Sequence, residues 1–172
     1  MTTLYTCDVL DQASQLTPAE RAALLRLRAT LHADVRPLVN EYWSRDEFPE
    51  QVIPKLTGLK MMNPQEIIDA GETPSDLFAG FRTFELARCD ASMSTFYNAV
   101  AGLFRTTINL GGSPEQAAAM DPLVQNFEIF GVFCLTEAEH GSDIAGGLAT
   151  TAERTGDTWT INGNKRWIGG VW

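Results

Sequence analysis

The sequence predicts an α+β chain in which an all-helical region, residues 1–126, precedes the opening strands of a β domain, residues 127–172. Three observations carry that prediction. Helix-start signals with a proline recur at Thr17-Pro18, Thr73-Pro74 and Ser113-Pro114. Behind the first of them, apolar residues repeat at helical spacing. From Phe127 the texture turns aromatic and β-branched, and a Thr-rich alternation runs from Thr150 to Ile161.

Thr17-Pro18-Ala19-Glu20 reads as a capping box, in which the Thr hydroxyl and the Glu carboxylate each satisfy a main-chain N–H. Leu24, Leu27, Leu31, Val35 and Leu38 then share one face, with Arg21, Arg26, Arg28 and Asp34 elsewhere, and Pro37 puts the helix end nearby. Residues 58–71 carry the weakest pattern. Thr73-Pro74-Ser75-Asp76 starts the next helical stretch, and Leu77 to Leu110 is apolar over two helices' length. Phe78, Phe81, Phe84, Phe96 and Phe104 lie within it at spacings typical of core. Ser113-Pro114-Glu115-Gln116 starts the last helix. Phe127 to Leu135 and Thr150 to Ile161 read as strands, and Asn162-Gly163 reads as a turn into a strand over Lys165 to Ile168.

Hydrophobic residues at 44% and charged residues at 20% exclude general disorder. Thirteen basic against 22 acidic residues, a net charge of -9, argue against a nucleic-acid surface. Cys7, Cys89 and Cys134 are odd in number and widely spaced, which suggests free buried thiols in a reducing compartment. Without a CxxC, and with His32 and His140 lacking companions at ligand spacing, no metal site is expected. Met1 to Tyr5 lacks a basic, then apolar, leader, and no apolar run nears the roughly 20 residues that span a bilayer. A cytoplasmic protein with no membrane span is the expectation.

Two stretches carry chemistry. Cys134-Leu135-Thr136-Glu137-Ala138-Glu139-His140-Gly141-Ser142-Asp143 is apolar up to Leu135 and then abruptly polar. Main-chain N–H groups and a Thr hydroxyl there can meet the carbonyl oxygens of a flat heterocycle, while Gly141-Ser142 lets backbone and hydroxyl approach a phosphate. Asn162-Gly163-Asn164-Lys165-Arg166-Trp167-Ile168-Gly169 adds an indole able to lie along an aromatic ring system. Together they suggest a flavin site. Each alone is an ordinary strand-and-turn sequence. Glu137, Glu139, His140 and Asp143 are candidate acid–base groups, but a Glu at a strand end more commonly accepts main-chain N–H bonds and His140 reads as a solvated loop residue. Gly141 to Gly147 lacks the Lys and Ser/Thr of a phosphate loop, and neither GxGxxG nor Gly-x-Ser-x-Gly occurs.

In combination, the two stretches resemble the acyl-CoA dehydrogenase family, which pairs Leu-Thr-Glu-x-x-x-Gly-Ser-Asp with Asn-Gly-x-Lys-x-Trp-Ile. Glu41-Tyr42-Trp43, Glu47-Phe48-Pro49 through Pro54-Lys55-Leu56, and Glu85-Leu86-Ala87-Arg88-Cys89-Asp90-Ala91-Ser92 are similar to its glutaryl-CoA dehydrogenase-like branch. Gly112-Ser113-Pro114-Glu115-Gln116 and Pro122-Leu123 match further family elements, and Trp167-Ile168-Gly169 stands for the usual Trp-Ile-Thr, as in short-chain acyl-CoA oxidase-like members. The resemblance implies a helical N-terminal domain, a β-barrel domain cut short at these residues, and a C-terminal helical domain outside them. It implies FAD as cofactor, with Cys134, Leu135 and Thr136 on the pyrimidine edge, Gly141 and Ser142 near the pyrophosphate, and Trp167, Ile168 and Gly169 along the ring. Gly169 cannot supply the hydroxyl that Thr gives to flavin N5.

The implied activity, in fatty acid metabolism, is α,β-dehydrogenation of an acyl-CoA thioester. The implied partners are the acyl-CoA, an electron acceptor (electron-transfer flavoprotein or oxygen) and three further copies in a homotetramer. Ser142, Ser94 and Thr95 are the implied substrate contacts. Ser94 stands where glutaryl-CoA dehydrogenases place an Arg for the second carboxylate, so a monocarboxylic acyl-CoA is expected unless Arg82, Arg88 or Arg105 substitutes. The family's catalytic base belongs to the C-terminal domain, so no catalytic residue is expected in this chain and it should be inactive alone. Other accounts stay open: one subunit of a split dehydrogenase, an acyl-CoA oxidase, or a non-catalytic helical assembly module.

Overall fold

A computed structural model describes residues 4–170. The chain divides into two compact units, Met1–Ile129 and Phe130–Trp172. The first is helical. After a 3₁₀ turn at Gln12–Gln15 come α1 (Pro18–Thr30), α2 (Arg36–Trp43), α3 (Val52–Leu59), α4 (Gln65–Asp69), α5 (Asp76–Cys89), α6 (Ala91–Asn98), α7 (Arg105–Gly111) and α8 (Pro114–Gln125). The second unit holds a short α9 (Ile144–Gly147) and an antiparallel pair, β1 (Thr151–Thr155) and β2 (Thr158–Asn162).

The capping box of α1 forms: Thr17 Oγ1 accepts the Glu20 N–H, and Glu20 accepts the Thr17 N–H at 3.0 Å. Its other carboxylate oxygen accepts the Ser75 N–H at 2.9 Å, so one buried carboxylate ties the starts of α1 and α5 together. That contact corrects the expected start at Thr73. Ser75, held by Glu20, is the N-cap, and its hydroxyl accepts the Phe78 N–H.

Pro37 does not end the first helix. A π turn over Leu31–Val35 carries α1 into α2, with the Arg36 N–H reaching back five residues to Leu31 O. The wider turn relieves the proline ring's clash, and Pro37 sits in the first turn of α2, where its missing N–H costs no bond. A second π turn, Ala99–Phe104, joins α6 to α7 in the same way.

Leu24, Leu27, Leu31 and Val35 are all buried, packed with Val39, Val52, Leu56, Ile67, Phe78, Leu86, Met93, Val100 and Val124. Each fully buried side chain of this size contributes about 1.5–3 kcal/mol. Ion pairs brace the helices from outside: Arg26 with Glu66 (α1 to α4), Arg28 with Glu85 (α1 to α5), and Arg105 with Asp121 (α7 to α8).

The expected strand from Phe127 to Leu135 is absent among the described residues. Phe127 instead terminates α8. It takes φ 55, its N–H meets Val124 O at 3.0 Å, and the Glu128 N–H meets Leu123 O at 2.9 Å. This is a Schellman end with Phe in the position that usually needs glycine. Burial of the ring beside Phe96 and Tyr97 offsets the backbone strain. The alternation from Thr150 to Ile161 folds as a hairpin rather than one strand. Thr155 pairs with Thr158 across a two-residue turn, and Gly156 adopts the positive φ (62) that such a turn demands.

Candidate functional site

The two sequence stretches meet within the second unit. Residues 131–137 run without regular secondary structure, half-buried to exposed, up to Glu137. Glu137 is 5% exposed, the one buried residue among the described residues of this unit. Its carboxylate accepts the Ala149 N–H at 2.7 Å, the Thr150 N–H at 3.0 Å and the Thr150 hydroxyl at 2.5 Å, and pairs with Lys165 Nζ at 2.8 Å. Lys165 first, then the Thr150 hydroxyl and the Ala149 N–H, hold this carboxyl down to about 2. A group so placed is ionised and fully engaged. It organises the loop, and it is no proton acceptor.

Lys165 Nζ also donates to Leu135 O at 3.0 Å, and the Arg166 N–H donates to Thr136 O at 2.9 Å. The carbonyls of Leu135 and Thr136 are therefore both occupied. Their N–H groups and the Thr136 hydroxyl make no hydrogen bond among the described residues. The free main-chain groups of Leu135 and Thr136 are thus both donors, beside a hydroxyl that can donate or accept. Such an edge suits a planar heterocycle whose rim carries carbonyl oxygens.

Glycines mark where the loop closes on itself. A Cβ on Gly163 would collide with the Thr150 side chain, and one on Gly147 with the paired side chains of His140 and Asp143. Gly163 is thus required by the approach of Thr150 to Glu137, not by a turn. His140 Nδ1 lies 3.0 Å from Asp143 Oδ2, and this contact lowers the Asp143 carboxyl. His140 and Asp143 brace one another within the loop, which refines the reading of His140 as simply solvated.

The remaining candidates fall as follows. Cys134, Gly141 and Ser142 are exposed, and Leu135 and Thr136 are half-buried. Trp167 is 85% exposed at φ 62, which corrects the expected strand over Lys165 to Ile168. A left-handed non-glycine backbone costs about 1–2 kcal/mol, so Trp167 adopts a locally disfavoured conformation. Ile168 is half-buried and Gly169 exposed, with open space at its Cα. In the helical unit, Ser94 is buried between α5 and α6, its hydroxyl donating to Thr83 O and accepting from Asn98 Nδ2, each at 3.4 Å. Thr95 is exposed and its hydroxyl returns to Ala91 O. Arg105 pairs with Asp121, Arg88 reaches Glu85, and Arg82 donates to Met61 O beneath the Tyr97 ring. The thiols are free, but Cys7 and Cys134 are exposed and Cys89 half-buried, which corrects the expectation of burial.

Lys165, Thr150 and Gly163 shape the loop around Glu137 in ways the sequence alone did not yield. Glu137 and Lys165 are 28 residues apart, and no periodicity links them. The available signal was chemical: a carboxylate at the end of an apolar run needs a cation.

The fold is a helical unit followed along the chain by an extended segment whose free main-chain groups are donors. The chain belongs to the acyl-CoA dehydrogenase family: residues 17–126 match the family's sequence model for the acyl-CoA dehydrogenase N-terminal domain. It is 29% identical over 165 residues to the human mitochondrial short-chain specific acyl-CoA dehydrogenase, covering 94% of this chain and 39% of that protein. It is 33% identical to a (2S)-methylsuccinyl-CoA dehydrogenase from Cereibacter sphaeroides, covering 88% of this chain and 32% of the relative. Among solved structures, a glutaryl-CoA dehydrogenase from Mycobacterium smegmatis in complex with FADH2 superposes with a TM-score of 0.76 at 27% identity, over 92% of this chain and 41% of that one. The chain spans between about a third and two fifths of the length of these relatives.

Proposed function

We propose that this chain supplies the helical domain and the pyrimidine-side half of an FAD site for α,β-dehydrogenation of an acyl-CoA thioester. The observation that carries the reading is the pair of free main-chain N–H groups of Leu135 and Thr136, with both carbonyls tied back by Lys165 and Arg166. When bound, FAD supplies the hydride acceptor that the reaction requires. The main-chain N–H groups of Cys134, Leu135 and Thr136 and the Thr136 hydroxyl hold the pyrimidine rim, and favour negative charge there. Trp167, Ile168 and Gly169 flank the ring, and Gly141 and Ser142 approach the phosphate-bearing arm.

Neither Glu137 nor Asp143 suits removal of the α-proton. Glu137 is locked in four donor contacts, and Asp143 is paired with His140. In this reading the base lies outside the 172 residues. A monocarboxylic acyl group is the favoured substrate, because Ser94 offers no cation, Arg88 and Arg105 already face carboxylates, and Arg82 is turned to Met61 O and the Tyr97 ring. A homotetramer with electron-transfer flavoprotein or oxygen as acceptor, in the cytoplasm, completes the proposal. Among the described residues no helix is long and apolar enough to cross a membrane.

The test is anaerobic addition of butyryl-CoA and glutaryl-CoA to the FAD-loaded protein, first as this chain and then with the polypeptide that supplies the base. Bleaching of the flavin's visible absorption by butyryl-CoA in the second case only is expected. FAD retention without bleaching in either case would sink the dehydrogenase reading, and repeating the assay in air separates oxygen from a protein acceptor.

A further inference from the structure

The Leu135–Thr136 peptide group is polarised from behind. Its carbonyl receives the Lys165 ammonium at 3.0 Å, while its N–H, that of Thr136, faces away without a partner among the described residues. A cation on a carbonyl withdraws electron density from the same amide and strengthens its N–H as a donor. The neighbouring Thr136–Glu137 peptide is treated likewise by the Arg166 main-chain N–H, without a formal charge.

The cation is fixed rather than mobile. Lys165 Nζ is shared with Glu137 at 2.8 Å, and Glu137 is anchored in turn by Ala149 and Thr150. Lys165 is 21% exposed at its side chain, so its field reaches the peptide with little solvent screening. Of the other charged groups in this unit, Asp143 faces His140, and Arg154 faces Gly156 O and Asp157.

We propose that Lys165 and Glu137 act as an opposed pair that sets the redox potential of the bound flavin through the Leu135–Thr136 peptide. The inference rests on the flavin reading above. Lys165 is a positioning residue, since its ammonium is spent on Leu135 O and Glu137 and acts on the rim through the peptide. Its charge strengthens the Thr136 N–H toward the pyrimidine rim, where the reduced flavin carries more negative charge. Glu137 attenuates that charge and keeps the ammonium on Leu135 O.

Opposite variants give the decisive test. The midpoint potential of FAD bound to the protein is measured for wild type, Lys165→Met, Lys165→Arg and Glu137→Gln, together with the FAD dissociation constant. Lys165→Met is expected to weaken the preference for reduced over oxidised flavin about tenfold, a fall of roughly 30 mV for a two-electron couple. Glu137→Gln, which leaves the cation less compensated, is expected to raise the potential, and Lys165→Arg to restore it toward wild type. A role limited to loop structure would weaken FAD binding in both Lys165→Met and Glu137→Gln while moving the two potentials in the same direction or not at all, and would overturn the proposal. In the flavin-free protein, the Thr136 amide proton resonance should move upfield in Lys165→Met; an unchanged resonance also overturns it. If wild type takes up no FAD, the flavin reading itself falls, a result distinct from unchanged potentials in variants that do bind.

Discussion

The two units are held together by opposite kinds of chemistry. In Met1–Ile129 the buried residues are overwhelmingly apolar, and the buried charges, Glu20 and Glu85, serve as ties between helices. Among the described residues of Phe130–Trp172 the sole buried residue is a carboxylate, and Phe130, Phe133, Trp159, Ile161 and Trp167 are exposed. One unit is ordered by removing apolar surface from water, the other by directed polar contacts converging on Glu137. The lesson is that the functional stretch owes its shape to a hydrogen-bond network, which is geometrically exact and sensitive to single atoms, while the scaffold tolerates more.

That contrast can be broken from either side. The largest effect is expected from Leu27→Ala, which empties a fully buried position and should cost the helical unit about 2–5 kcal/mol. Thermal melting followed by far-ultraviolet circular dichroism would register it, while amide protection at Ala149 and Thr150 stays unchanged. Protection lost equally in both places would dissolve the distinction between the units.

Acid probes the other side. The Glu137 carboxyl is depressed to about 2 from 4.5, chiefly by Lys165, so its contribution is complete above pH 4.5 and disappears as pH falls toward 2. Asp121, lowered to about 2 from 3.8 by Arg105 first, loses its contribution in the same direction. Hydrogen exchange between pH 5 and pH 2 should therefore open the Glu137 loop while the apolar centre of α1 and α5 stays protected. A loop that remains closed at pH 2 would contradict the assignment.

Gly163→Ala is subtler. The added methyl meets Thr150 and should displace its hydroxyl from Glu137, an overpacking cost of about 1–3 kcal/mol confined to the loop. The smallest effect belongs to Thr17→Ala, which removes the N-cap of α1 and should lower stability by about 1 kcal/mol, visible as a shift in denaturant midpoint.

How far the sequence could be read follows from the same contrast. Leu24, Leu27, Leu31 and Val35 repeat with the helix, and each is buried. The capping signals at Thr17 and Ser113 are local, and both boxes form. What misled were residues whose neighbours lie far along the chain. Pro37 fell near the expected helix end, yet the chain runs on into α2 through a π turn that has no sequence mark. Thr73 gave way to Ser75 because Glu20, 55 residues earlier, holds the Ser75 N–H. Phe127 looked like the first residue of a strand, but it closes α8 because its ring is buried in the helical core. Within the site, Leu135 and Thr136 were visible as an apolar-to-polar break, whereas the clamp by Lys165 depends on a contact 30 residues distant.

In the proposed function the rim of Leu135 and Thr136 receives a flavin. Proton–nitrogen spectra of the isotope-labelled protein, recorded while FAD is added, test it most directly. Saturable shifts of the Leu135 and Thr136 amides and the Trp167 indole are expected, with Leu24 and Leu86 in the helical core unmoved. FAD binding that leaves the Leu135 and Thr136 amides where they were, or no binding at all, would contradict it.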